Sequence, residues 1–560
     1  MPLTNARTAA ALLAAGLLAG LGGCLSPEKA ERDADETAVA LASSFWRERM
    51  GGTNDFDIAR PADALALKVA LEAVRRGSTN AVFPRVESAP ALSLDSNGVV
   101  RLSLNDALAV GARNNRRYQT LKESVYSRAL ALDDQLYAFD STFTGFILGA
   151  LAGNPEATKS SAEAGAGVSR KFEQGATIAG NMAIDVAKMI REDWHSLGWT
   201  GDLTVNVPLL RGSGRDIVRE PLTQAERDLA YAILAFARYR ETYALSLAKA
   251  YFGVLRNAQT HRNSGDNEKR LEQNWKRAEM MFRAGRMDRI QTDQAKTDLL
   301  NARRDVITSL QSYEDALDSF KMLLGFSPET PFALDDEELR RLEKAMEREA
   351  ESSSDALAEY PAEETSLCLA LQYRYDHAVV EGEMADAERK VKVAADALRA
   401  DLSVEGGVDY AADRRQHARS IDDATETKAR IRFSLPWDRR RERNAYRRAL
   451  ILRDQAVRAC EEDADAIKNE VRAARRALAA ARVLYSNKVE AYKTACMRVE
   501  ANDLFMQSGR SSMRDILEAE SALLSARNAL CSAVIEWWTG DLSLRTAMGS
   551  LTMGEDGKWK

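Results

Sequence analysis

Beyond its first 24 residues the chain has no uninterrupted apolar run of about 18, so it offers no second helix able to cross a bilayer, and any span has to be β. Cysteine is scarce, at five in 560 residues. Apart from Cys24, the cysteines Cys368, Cys460, Cys496 and Cys531 each sit in Ala/Leu-rich helical sequence and read as small buried residues rather than a disulfide framework. The four histidines, His195, His261, His377 and His417, are widely scattered. No His-Glu-x-x-His, paired-cysteine or glycine-rich phosphate motif accompanies them, so no catalytic constellation, metal site or cofactor site is expected. Neither charge dominates, with 78 Lys and Arg against 84 Asp and Glu, which argues against a nucleic-acid partner.

The N-terminus has the layout of an export signal. Arg7 precedes an apolar Ala/Leu stretch over residues 9–19, followed by Leu21-Gly22-Gly23-Cys24. Small residues directly before a cysteine resemble the bacterial lipobox. That resemblance implies cleavage of residues 1–23, diacylation of Cys24 and, because Leu25 is not an Asp, the outer membrane as destination. Each buried CH₂ of such an anchor contributes about 0.8 kcal/mol.

Past a 24–100 extension, the chain is written twice, as residues 101–330 and 363–551, with a 331–362 linker between them and a 552–560 tail. Leu203-Thr204-Val205-Asn206-Val207-Pro208-Leu209-Leu210-Arg211 answers Ile431-Arg432-Phe433-Ser434-Leu435-Pro436-Trp437-Asp438-Arg439 at a separation of 228. The same separation pairs Arg215 with Arg443 and Arg219 with Arg447. Downstream, Gly285 pairs with Gly509, Ala295 with Ala519, Ala302 with Ala526 and Gly325 with Gly549 at 224. Upstream, Asn114-Asn115 answers Tyr373-Arg374 at 259, which leaves an insertion of roughly 30 residues between 139 and 200 of the first half.

Each half reads in the same order. A helix of about 33 residues comes first, 105–137 or 363–397, with apolar positions at three- and four-residue spacing. A β segment follows, then a helix over 222–282 or 439–505 of roughly 90 to 100 Å. Gly285 and Gly509 make the turns into returning helices, 288–324 and 515–548, closed by Gly325 and Gly549. The shorter helices together match the longer one, so they are expected to stack end to end along it. In the junction strands Leu203, Val205, Val207, Ile431, Phe433 and Leu435 share one face, and Thr204, Asn206, Arg430, Arg432 and Ser434 the other. That alternation suits a membrane barrel with a water-filled lumen. With ascending partners at 141–148 and 402–410, it gives about four transmembrane strands per chain. Four strands cannot close a barrel, so lipid insertion forces oligomerisation, and three copies give twelve strands. The insertion holds another possible hairpin, 165–172 and 176–187. It reads as a surface excursion, since the second half manages without it, with extra barrel strands as the alternative.

These features resemble the outer-membrane efflux protein family of TolC type: the twofold repeat, Val207-Pro208-Leu209-Leu210-Arg211-Gly212-Ser213-Gly214-Arg215 at the first strand exit, and Gly509 followed by Asp515-Ile516-Leu517-Glu518-Ala519. The resemblance covers about residues 102–551. It implies a mainly α fold of long hairpins forming a trimeric α-barrel that continues into a shared β-barrel. It implies a homotrimer in outer-membrane lipid that docks to an inner-membrane pump through a periplasmic adaptor and serves as a passive exit duct, not an enzyme. It also implies a closed periplasmic aperture ringed by acidic residues. Asp515 matches that motif directly, Glu518 replaces an Asp, and Ser511 stands where an arginine is expected, with Arg510 and Arg514 as nearby substitutes. Helix-start chemistry is a sufficient alternative for Asp515 and Glu518. Pro208 and Pro436 mark the strand-helix junctions, and the arginines beside them, Arg211, Arg215, Arg439 and Arg443 among them, read as a charged collar able to reach headgroup phosphates. The rival class is a periplasmic adaptor or structural coiled-coil lipoprotein, which would carry a single helical hairpin flanked by soluble β-domains. Trp537 and Trp538 are expected in a packed helix junction rather than at a lipid interface.

Overall fold

The computed structural model describes residues 26–50, 100–153, 158–189, 195–329, 332–352, 357, 360–415, 422–435, 437–508, 510–554 and 559. Cys24, Pro436, Gly509 and His417 lie outside them. The elements run α1 Pro27–Met50, β1 Val100–Leu102, α2 Leu104–Asn114, α3 Arg116–Tyr137, β2 Thr142–Gly153, β3 Thr158–Lys171, β4 Thr177–Met189, β5 His195–Pro208, α4 Arg215–Val218, α5 Glu220–Arg283 and α6 Arg289–Leu323. They continue as β6 Phe332–Leu334, α7 Asp336–Ser352, α8 Glu363–Tyr373, α9 Tyr375–Asp396, β7 Asp401–Arg415, β8 Asp422–Ser434, α10 Arg440–Gln507 and α11 Met513–Ala547. Among the described residues no helix is long and apolar enough to cross a membrane. The chain divides into two compact units, one of residues 1–57, 124–233 and 380–460, the other of 58–123, 234–379 and 461–560.

The first unit carries a six-stranded antiparallel sheet in the order β2-β3-β4-β5-β7-β8. The expectation of about four strands is corrected here. The insertion is not a surface excursion but the hairpin β3–β4, paired along its whole length to β2 on one side and β5 on the other. Sequence comparison of the halves misled because the second half closes its sheet with β7 and β8 alone. The ascending strands also run further than 141–148 and 402–410, to Gly153 and Arg415. Next to the sheet, α5 is tied to α9 around the buried Asp386 carboxylate. It accepts from the Tyr231 hydroxyl at 2.9 Å and pairs with Arg389 at 2.8 Å and Arg227 at 3.1 Å. Tyr231 also fills the space beside Gly382, where a Cβ would collide with its ring.

In the second unit the helices expected over 105–137 and 363–397 are each broken in two, at Asn115 and at Arg374. Both residues are extended, with ψ of 124° and 126°. The apolar spacing continues across each break, which hid it from periodicity. The Asn115 amide donates to Leu323 O at 2.8 Å and accepts from Tyr118 N at 2.9 Å, so one side chain closes α6 and opens α3. Arg374 holds the repeat-related carbonyl, Ala547 O, at 3.3 Å. The glycine turns Gly325 and Gly549, at φ of 83° and 67°, lie against these two breaks. The same joint is thus made twice, by an amide in one half and a guanidinium in the other. Tyr118 packs edge-on to Phe236 and Tyr243 in the first joint. Trp537 is buried against Tyr485, and the half-buried Trp538 packs edge-on to Phe252, as expected for a packed junction. Of the four helical cysteines only Cys531 is buried, its thiol pushed up to about 12 by burial; Cys368 is exposed and Cys460 and Cys496 are half-buried, correcting their reading as core residues.

Beside the second joint, Glu241 is 4 % exposed and 3.0 Å from Arg238. Desolvation outweighs the arginine and raises its pKa from 4.5 to about 7. The unfolded chain ionises this carboxyl first, so stability is full below about pH 4.5, falls as pH rises to about 7, and is flat above. The loss is on the order of 3 kcal/mol. Glu241→Gln should flatten this slope in thermal melts taken at stepped pH in detergent. A slope equal to that of the parent chain would show that another group titrates there.

Candidate functional site

Two regions bear on function, the sheet with its strand-helix junctions and the helical tip. Cross-strand register assigns every sheet residue to a face, because directly paired residues point the same way. One row runs Phe143, Val168, Gly180, Leu203, Val408 and Thr427. Rows two residues away add Met182 with Tyr410 and Ile178 with Val205, and the row four residues away adds Val207 with Val404 and Ile431. The opposite face carries Thr144, Gly167, Asn181, Asp202, Asp409 and Glu426 in one row and Asn206, Glu405 and Arg430 in another. Asn181 donates to Asp202 at 3.1 Å, Lys428 pairs with Asp409, and Glu405 lies 3.6 Å from Arg430. Alternation of Phe, Ile, Leu, Val and Met with Thr, Asn, Asp and Glu makes one greasy face and one wet face, as the junction strands predicted, except on β2, where Phe146 and Leu148 fall on the wet face.

The greasy face is uncovered, with Phe143 79 % and Ile431 74 % exposed. Trp437, just past β8, is 96 % exposed. Of the junction residues, Pro208 ends β5 opposite Ser403, and Arg211 donates its backbone N–H to Ala400 O at 3.3 Å. The Arg439 guanidinium donates to Leu398 O at 2.8 Å, whereas Arg443 is exposed in the first turn of α10. Arg215 does not stand free: it pairs with Glu173, in the β3–β4 turn, at 2.9 Å. Sequence reasoning missed Glu173, because nothing in the spacing of the two halves points to a partner inside the insertion.

At the tip, α5 turns into α6 through Gly285, at φ 70°, with Arg286 N donating back to Met281 O at 2.9 Å. Buried Leu271, Ala295, Leu299, Met506, Met513 and Leu517 lock α5, α6, α10 and α11 together there. Asp515 and Glu518 part company chemically. Ser512 caps α11, and the Asp515 carboxylate accepts from Ser512 N at 2.9 Å and Ser512 Oγ at 2.6 Å, bonds that hold it below the usual carboxylate range. The box is legible as Ser512-x-x-Asp515, yet Ser512 escaped notice. Glu518 pairs with Arg498 at 2.8 Å, across from α10, so neither Arg510 nor Arg514 is its ion-pair partner in the structure. Glu518 and Arg514 also line a groove of about 680 Å³ of mixed character, with Gln294, Asp298 and Asp305 beside Ile290 and Leu517.

This architecture is that of solved outer-membrane channels. The channel OprN aligns over 80% of this chain and 90% of its own with a TM-score of 0.56 and 15% identity. The protein CusC aligns over 82% of this chain and 98% of its own, with a TM-score of 0.57 and 15% identity. The MtrE outer membrane channel of Neisseria gonorrhoeae aligns over 83% of this chain and 96% of its own, with a TM-score of 0.55 and 14% identity. No family model matches the sequence, and no curated protein does. The likeness is therefore one of fold, and it matches the long hairpins and antiparallel sheet expected from the repeat.

Proposed function

We propose that this chain is the protomer of an outer-membrane exit duct, a passive, non-enzymatic channel anchored through a lipid on Cys24. Copies of the chain, three in the resemblance to TolC-type proteins, close the sheet into a barrel in the outer membrane. The helices supply a periplasmic conduit, fed by an adaptor and an inner-membrane pump. The observation that carries this reading is the sheet itself. Its exposed aliphatic and aromatic face exceeds what a water-borne surface tolerates, its other face is polar, and its outer strands β2 and β8 have no further partner among the described residues. An open edge in lipid costs several kcal/mol per unpaired backbone group, and six strands are fewer than the eight or so at which membrane barrels begin. Neighbouring copies resolve both problems.

The helices support the same reading. On α6, Ile290, Leu300 and Ile307 are exposed, and on α10 so are Val483, Met497 and Leu504, with seven-residue steps from Leu300 to Ile307 and from Met497 to Leu504. Such seams are what a second helix pair covers. The adaptor reading has no such support, because β5 of the first half pairs with β7 of the second in one sheet rather than in separate β-domains.

Reconstitution in planar bilayers tests the proposal. The purified protein should form detergent-resistant oligomers that conduct ions, and divalent cations should block the current. Asp515→Ala together with Glu518→Ala should keep the oligomer and weaken that block several-fold, because repeated copies gather these carboxylates around one axis. A monomer without current would sink the channel reading. Intact channels with unchanged block would leave Asp515 as a helix cap only.

A further inference from the structure

The hairpin β3–β4 has no counterpart in the second half, and its placement says more than that it belongs to the sheet. We infer that it is a permanent stretch of the barrel wall, so that each copy contributes six spanning strands and the pore is about half as wide again as four strands per copy would make it. This rests on the channel reading.

Three observations carry it. First, β3 and β4 hold 14 and 13 residues, matching β5 at 14, β7 at 15 and β8 at 13, and exceeding the 9–11 or so that a tilted strand needs to cross a bilayer. Second, the hairpin keeps its neighbours' alternation. Val168, Ile178 and Met182 fall on the greasy face, and Glu163, Ser169 and Asn181 on the wet one. A hairpin lying in water has no reason to carry exposed Val, Ile and Met in register with Phe143, Leu203 and Tyr410.

Third, the near end of the hairpin is bolted to the strand-helix junction. Gly175 adopts φ 97°, and a Cβ there would come 2.9 Å from Gly212 O, 3.0 Å from Pro208 Cγ and 3.1 Å from Val218 Cγ2. Gly214 N donates to Gln174 O at 3.4 Å, and Glu173 takes Arg215 at 2.9 Å and Arg219 at 3.7 Å. The glycine-rich exit Gly212-Ser213-Gly214 and the helix α4, which follow β5 but not β8, thus receive the turn of the extra hairpin.

The wet face of the hairpin is built mainly of small side chains, Ser169, Gly167, Gly165, Ala179 and Ala183 among them. Added strands of this kind widen a lumen instead of filling it, so the duct passes solutes too broad for a four-strand design.

Deleting residues 158–189 removes one strand in each direction and leaves β2 to descend into β5 through the remaining 154–157 and 190–194, so the order of the other strands is preserved. Imaged by electron microscopy in lipid nanodiscs, the barrel of the full chain should be about 1.5 times as wide as that of the deletion, since diameter grows roughly linearly with strand number whatever the number of copies. Barrels of equal width would overturn the inference while leaving the channel reading intact. Absence of a barrel from both chains would overturn both.

If the deletion alone fails to assemble, the full chain carries the test. Cysteine placed by Asn181→Cys should react readily with a water-soluble maleimide, whereas Met182→Cys should react at least tenfold more slowly and should respond to a lipid-borne quencher. Equal, rapid labelling of the two, read by peptide mass mapping, would place the hairpin in water and end the proposal.

Discussion

Replacing Gly325 by alanine is expected to cost about 4 kcal/mol of folding stability. Two penalties add. The residue sits at φ 83°, where an L side chain costs about 1 to 2 kcal/mol. Its Cβ would also press into backbone, colliding with Asn114 O and lying 2.7 Å from Asn114 C, atoms that the Asn115 joint holds in place. Gly549 is the repeat-related residue at φ 67°, but its Cβ would meet Arg374 Cγ and N and Tyr373 C at 3.2 Å, a squeeze that small shifts relieve. Gly549→Ala should therefore cost about 2 kcal/mol. Gly285 at the tip has φ 70° and open space around it, so Gly285→Ala should cost only the backbone term, about 1 kcal/mol. Thermal unfolding of the three variants in one detergent would order them 325, 549, 285. Equal losses would mean that backbone angle alone governs these turns and that the close approach at Gly325 is slack.

This graded set also marks how much of the molecule was legible in the sequence. The glycine pairs announced the twofold repeat, and the alternation of Leu203, Val205 and Val207 against Thr204 and Asn206 announced a two-faced sheet. Both are local signals that survive folding, because helix ends and strand faces are set by neighbours in the chain. What the sequence hid is non-local. The breaks at Asn115 and Arg374 are made by carbonyls more than 170 residues away, Leu323 O and Ala547 O, while the apolar spacing runs on unbroken. The place of β3–β4 depends on Glu173 meeting Arg215 and on Gly175 fitting under Gly212, neither of which leaves a periodic trace. At the tip, Asp515 followed the capping-box spacing, but Arg498 as the partner of Glu518 required knowing how α10 and α11 lie side by side. The structure describes neither Cys24, Pro436 nor Gly509, so those three expectations rest on sequence.

The second joint sets the other large expected effect. Arg374 is 5 % exposed and is held by Asp376 at 2.7 Å, Glu470 at 2.6 Å and Ala547 O at 3.3 Å, contacts that raise its pKa beyond the ordinary arginine range despite the opposing effect of burial. Arg374→Met keeps most of the volume and removes the charge. It leaves Asp376, whose carboxyl Arg374 and Arg238 help hold below the usual range, with Arg238 at 3.4 Å and the His377 backbone N–H at 3.2 Å, and it leaves the last turn of α11 one donor short. Removing one partner of a buried pair costs about 3 to 5 kcal/mol. Because Glu470 is half exposed and Arg238 remains, a loss of about 3 kcal/mol is expected here. Arg374→Lys should recover less than half of it, since an ammonium is a point charge that cannot span two carboxylates and a carbonyl as a planar fork does. Thermal melting at pH 7.5 reads these differences directly. Full rescue by lysine would mean that charge alone closes the joint, and the parallel drawn with the uncharged Asn115 amide would then fail.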